Sequence, residues 1–332
     1  MSLLGRTTKD QEKPKTSNTA ERFDWRDNLR GAGTLIGLVL IVLVFSSQSP
    51  IFLTGPNIIN ILQSSAINAC IAIGMTLVII SGGIDLSVGP IAALAAVVSA
   101  TLMFNGTAPL LAVPVGLGIG ITCGIVNGLL IARVGLQPFI VTLGTLSLYR
   151  ALALIYTGGN PILSVPKPFR DFFNGNIGGI PMPVILVALA SLVAWVILRK
   201  TPLGEYLLAV GGNEEAARVN GVPVILTKVS TYAVSGFLAA LAALILVGRL
   251  GAAEPILGNQ WELNAIAASA IGGTSLMGGK GSIIGTLMGA IILGAMINGL
   301  TLMNVQAFYQ LLATGIIILL AMIVDRITRG TS

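Results

Sequence analysis

Asn60, Gln63, Ser64 and Asn68 are the side chains whose types and spacing first suggest chemistry. They interrupt an apolar run over about 57–80, and on a helix Asn60, Ser64 and Asn68 recur at i, i+4 and i+8, on one face. Amides facing hydrocarbon without a partner are costly. The face is therefore expected to line a water-filled path, or else to glue the helix to a neighbour through hydrogen bonds. Such groups carry no fixed charge and suit hydrogen bonding rather than bond breaking.

Little else supports catalysis. The chain has no histidine, which rules out Ser–His and Cys–His pairs, and both cysteines, Cys70 and Cys123, lie in apolar runs without disulfide or metal-ligand spacing. Asp85, Glu254, Glu262 and Asp325, the acidic residues in or beside apolar stretches, are too scattered for a paired-carboxylate site. Gly279-Lys280 resembles the end of a phosphate-binding loop, but Thr274 replaces its first glycine and Gly281 its Ser/Thr. No catalytic residue, metal site or bound ATP is expected.

Two further stretches stand out. Residues 81–90, SGGIDLSVGP, break a helix, and Asp85 or Ser87 is expected to cap the next one, with Asp85 and Ser87 also candidates for a gate or pathway. Residues 199–228 form the most polar interior segment, opened by Arg199 and Lys200. Within it, Asn213 is a plausible N-cap for Glu214, Glu215, Ala216, Ala217 and Arg218, and Gly221-Val222-Pro223 is a stop. Glu215 and Arg218, three apart, are expected to pair on the helix or with the rim of a soluble partner, and Ala216 and Ala217 to face that partner.

These segments must be positioned by helices in lipid. Of 332 residues, 54% are hydrophobic and only 10% charged, with mean hydropathy +0.90, against about 25% charged in soluble proteins. Asp85 is the only charge between Gly31 and Ala132. The net charge of +6 sits at loop ends, a sign of membrane topology rather than nucleic-acid binding. The expected fold is all-α and polytopic, with about ten transmembrane helices and glycine-rich breaks. Residues 1–30 form a cytoplasmic tail, 31–326 the membrane domain, and 327–332 a second cytoplasmic tail. The first span is expected at 33–45 and the eighth at 265–277. A glycine-rich stretch at 110–132 reads as a buried span, Arg150 as an internal charge that snorkels or pairs, and 157–182 as an extracytoplasmic segment. Residues 82–89 and 272–279 share GGxxLxxG, and two related halves are the expectation.

Several blocks carry a family resemblance. Residues 215–221 read EAAxxxG, which resembles the coupling loop of ATP-driven (ABC) importer permeases. GMTLVI at 74–79 followed by GGIDLSVG, AVGGNE at 209–214, ELNAIAA at 262–268, GGTSLMGGKG at 272–281 and Asn298-Gly299-Leu300 together resemble ribose-type sugar permeases. Asn264 departs from the pattern, which leads one to expect an acidic residue there. The resemblance spans about 52–325 and implies a non-catalytic permease subunit of the bacterial inner membrane; the ten expected crossings place both termini in the cytoplasm. It implies an ABC ATPase that binds the ATP and docks at Gly212 to Arg218 and Gly221. It also implies a periplasmic or surface-tethered sugar-binding protein, and a second permease copy or a related permease. The alternative reading is an ion-gradient-driven transporter of a small polar solute. That mechanism usually requires intramembrane carboxylates, and Asp85 is the sole candidate.

Overall fold

The computed structural model describes residues 25–329, with side chains for 34–320 and 323. Of the tails expected at 1–30 and 327–332, residues 1–24 and 330–332 lie outside the described residues. In chain order the helices are α1 (Trp25–Gln48), α2 (Gly55–Ile80), α3 (Val88–Phe104), α4 (Pro109–Ala132) and α5 (Pro138–Thr157). After strand β1 (Ile162–Leu163) come α6 (Lys167–Asn174), strands β2 (Asn176–Ile177) and β3 (Ile180–Pro181), then α7 (Met182–Lys200), α8 (Pro202–Gly212) and α9 (Glu214–Val219). The chain continues through α10 (Val224–Leu250), β4 (Ala252–Ala253), α11 (Trp261–Ile271), α12 (Ile283–Leu302) and α13 (Ala307–Arg329). It is a polytopic helical membrane protein. Among the described residues, strand pairing is confined to β1 against β4, with Ile162 opposite Ala253, and to β2 against β3.

Among the described residues, six helices are long and apolar enough to cross a bilayer: α2, α4, α5, α7, α10 and α12. Shorter apolar helices run over Thr34–Gln48, Val88–Phe104 and Ala307–Leu320. The eighth expected crossing differs. Its helix, α11, has 11 residues, about 16 Å of rise against about 30 Å of hydrocarbon. Gly272 and Gly273 stop it, Gly273 with φ +81. The first helix begins at Trp25, inside the tail expected over 1–30, because the polar residues before Gly31 extend the helix of the apolar run.

Lipid exposure separates a centre from a rim. In α2, 83% of the apolar window is buried inside the chain, against 28% in each of α4, α5 and α7. Glycine sets how closely the central helices approach. A Cβ on Gly120 or Gly124 of α4 would overlap the Gly236 or Tyr232 carbonyl oxygen of α10. Gly118, on another face of α4, meets nothing within 4 Å, so α4 is not the fully buried span expected from its composition. Both cysteines are buried: Cys70 donates to the Leu238 carbonyl, and Cys123 is 7% exposed.

Candidate functional site

The polar face of α2 opens on a cavity of about 460 Å³. Asn60, Ser64 and Asn68 line it on one side, Arg249 from the last turn of α10 and Trp261 and Asn264 from the start of α11 on another. Asn298 and Thr301 near the end of α12 complete the polar lining, and Ile67, Ile71, Leu246 and Ile297 supply apolar wall. The helices reach this point by close approach: a Cβ on Gly294 of α12 would overlap Ser65 Oγ of α2. Gly251, at φ +78, ends α10 just after Arg249. The turn into α11 is held by Arg150, whose guanidinium donates to the Pro255 and Leu257 carbonyls at 2.7 and 2.8 Å. Among the described residues Arg150 makes no ion pair within 4 Å; its short bonds go to carbonyls, with the Glu262 carboxylate close enough to interact electrostatically.

Hydrogen bonding within this lining is uneven. Asn57 and Asn298 satisfy each other through reciprocal amide bonds of 2.9 and 3.0 Å. Gln63 lies beside the lining and accepts from Arg249 through its carbonyl and side-chain oxygens, both at 3.4 Å. Among the described residues, the side chains of Asn60, Ser64, Asn68 and Asn264 have no partner within the chain. No Asp or Glu lines the cavity.

Asp85 and Ser87 do not line it. Both are 0% exposed. Asp85 Oδ1 accepts from the Ser87 backbone N–H at 3.0 Å and from Ser87 Oγ at 2.6 Å, and Oδ2 accepts from Ser235 Oγ of α10 at 3.0 Å. Asn127 of α4 donates to Ser87 Oγ at 2.8 Å. Ser87 occupies the N-cap position of α3 without a side-chain cap bond. The carboxylate two residues earlier takes the neighbouring N–H instead, as in an Asx turn.

The second break, 272–282, meets the first at a backbone junction. Gly279 N–H donates to the Ile80 carbonyl at 2.9 Å. A Cβ on Gly211, near the end of α8, would overlap that same carbonyl oxygen, and one on Gly278 would come within 2.7 Å of the Gly211 oxygen. The polar segment before α9 is therefore in backbone contact with both breaks. Asn213 caps α9, its Oδ1 accepting from Ala216 N–H at 2.9 Å, and Gly221 takes φ +83 at the exit. Glu214 bridges Arg218, at 3.1 Å, and Lys228 on α10. Arg218 thus pairs one turn back rather than with Glu215, because four residues bring side chains together along the helix. Ala217 is buried against Val210 and Val224, while Ala216 is exposed and Val219 is 80% exposed.

Residues 57–322 match the family described as branched-chain amino acid transport system / permease component. The chain belongs to this permease family. It is 48% identical over 308 residues to the ribose import permease protein RbsC of Bacillus subtilis, covering 92% of this chain and 96% of that relative. It is 43% identical to RbsC of Escherichia coli K12, over 88% of this chain and 92% of the relative. It is 40% identical to the D-allose transport system permease protein AlsC of the same strain, over 89% and 91%.

In the permease the sequence-derived groups thus fall at three places. Asn60, Ser64 and Asn68 surround the cavity, Asp85 and Ser87 sit in an enclosed hydrogen-bond cluster, and Gly212 to Gly221 carry the polar segment. Sequence reasoning missed Arg249 and Trp261 as neighbours of Asn60, since they come from α10 and α11. It also missed α8, whose start is signalled by Thr201-Pro202, with proline in the first turn.

Proposed function

We propose that this chain is the membrane-spanning subunit of an ATP-driven importer that moves a monosaccharide across the bacterial inner membrane. The observation that carries this is the cavity, whose unpartnered amides and hydroxyls, free of any carboxylate, suit a neutral polyhydroxyl solute. The names of the ribose and allose permeases among its relatives point the same way. A separate ATPase supplies hydrolysis, and a sugar-binding protein delivers the solute on the face of the 157–182 segment. Two copies of the chain, or this chain with a related permease, form the complete pathway, with both termini in the cytoplasm. Asp85, the one carboxylate that an ion-coupled mechanism would use, is enclosed away from the cavity, which disfavours the ion-gradient reading.

The ATPase docks on the exposed side of α9, through Glu215, Ala216 and Val219. Ala217 is turned inward, so Ala217→Trp would disrupt the permease's own packing rather than probe the partner. Val219→Ser removes an exposed apolar anchor without disturbing that packing. It should leave the amount of permease in membranes unchanged and reduce ATPase copurification at least about tenfold. The function itself is tested by co-reconstituting permease, ATPase and binding protein in liposomes and measuring ribose and allose uptake. ATP-dependent accumulation of either sugar is the expected result. Uptake that follows an imposed ion gradient without ATP would overturn the proposal.

A further inference from the structure

Arg150 and Arg249 are both half-buried arginines within the helical bundle, yet they are held differently. Arg150 makes short bonds to two carbonyls and acts as a brace. Arg249 makes only two bonds to Gln63, each at 3.4 Å, beyond the usual N–H···O range of about 2.7–3.2 Å. It forms no ion pair among the described residues. Its planar set of five N–H donors is therefore largely unspent, and it lines the cavity. Its place in the last turn of α10 favours a cation, and an intramembrane guanidinium with donors to spare marks a functional site.

The rest of the lining indicates what those donors would meet. Asn264 offers an unpartnered amide, at the position where the family pattern led to expecting an acid. With no carboxylate in the lining, Arg249 is the only charged group there, and a cationic or zwitterionic solute's ammonium would be repelled. Trp261 is the only aromatic residue in the wall. Its flat apolar face suits the C–H face of a sugar ring, whose edge carries the hydroxyls. The volume, about 460 Å³, lies within the range of about 300–1,000 Å³ typical of small-molecule sites.

We infer that the cavity is a discrete binding site for one uncharged monosaccharide-sized polyhydroxyl solute, recognised by Trp261 against the ring face and by Arg249 and Asn264 on the hydroxyls. This rests on the function proposed above and adds that the permease itself holds the sugar, independently of any delivery protein.

The test is equilibrium dialysis of radiolabelled ribose against the intact permease–ATPase complex in lipid nanodiscs, without nucleotide and without binding protein. Saturable binding, displaced by unlabelled ribose, is expected. It should weaken at least about tenfold in both Arg249→Gln and Trp261→Ala, and less in Trp261→Phe, which keeps an aromatic face. Membrane yield and ATPase copurification check that the variants are assembled. A merely structural role for these residues would lower both together with binding and would overturn the assignment. It would equally be overturned by unchanged binding in both variants, by tighter binding of glucuronate than of ribose, or by no saturable binding in a complex that still imports ribose with its binding protein. Failure of ATP-driven uptake in the unsubstituted complex would instead strike the underlying functional reading.

Discussion

The two glycine-rich breaks, 81–87 and 272–282, belong to stretches that share GGxxLxxG but are secured by different means. The first is tied by side chains. Asp85 gathers Ser87 and Ser235, Asn127 reaches Ser87 from α4, and Thr142 and Tyr232 donate to the Ile84 carbonyl at 3.1 and 3.4 Å. The second is tied by side chains only at its end, where Ser282 Oγ accepts from the Gly285 N–H of α12 and Thr286 donates to the Ser282 carbonyl. Its Ser275 bonds only within the break, to Gly278, and the buried hydroxyl of Thr274 has no partner. It is also in backbone contact with Gly285 of α12, with Ile80, and with Gly211, which adjoins the segment facing the ATPase in our proposal. The contrast teaches that the same local pattern can be secured mainly by buried side chains or mainly by backbone packing. The first break is fastened to α4, α5 and α10, whereas the second is fastened to α2, α12 and the segment that faces the ATPase in our proposal.

The largest effect expected from this contrast is at Asp85. Asp85→Leu strands the Ser87 N–H and the hydroxyls of Ser87 and Ser235 in a fully buried site. A loss of at least about 3 kcal/mol should follow, at about 1–3 kcal/mol per orphaned group, seen as reduced membrane yield and a lower melting temperature in detergent. Asp85→Asn keeps an acceptor and should be milder. Equal damage in both would mean that charge, rather than hydrogen bonding, fastens the first break.

A middle-sized effect belongs to Gly211. The added methyl of Gly211→Ala runs into the Ile80 carbonyl, and overpacking of this kind costs about 1–3 kcal/mol. Ribose uptake by the reconstituted complex should fall at least about tenfold, which is about 1.4 kcal/mol. Gly212→Ala, where an added Cβ meets nothing within 4 Å, should change uptake little. Comparable uptake in the two variants would remove the junction from the mechanism.

The smallest effect is at Thr274. Thr274→Val removes a buried, unpartnered hydroxyl at nearly constant volume and should be neutral or stabilising by up to about 1 kcal/mol, read as an unchanged or raised melting temperature. Clear destabilisation would show that this hydroxyl finds a partner in another arrangement of the second break, and would sharpen the contrast with the first.

Much of this was legible in the sequence, for reasons that are local. The period of four placed Asn60, Ser64 and Asn68 on one face because a helix in lipid has no other regular option. Asn213 and Gly221 marked the ends of α9 because capping and left-handed backbone need those residue types. The rest required tertiary information. The meeting of Arg249, Trp261 and Asn264 with α2 joins residues nearly two hundred positions apart. The inward turn of Ala217 depends on Val210 and Val224 lying beneath it. The close approach of Gly272 to Gly285 of α12 is likewise a contact that composition does not reveal.

The burial of Cys70 and Cys123 has a practical side. Neither sulfur is open to the surface, so a bulky maleimide applied to the folded permease should find almost nothing to modify. A cysteine introduced at Gly212 would then be the single reactive thiol on the chain. A fluorophore or spin label attached there would report the displacement of the polar segment during the ATP cycle, without native sulfurs having to be removed first.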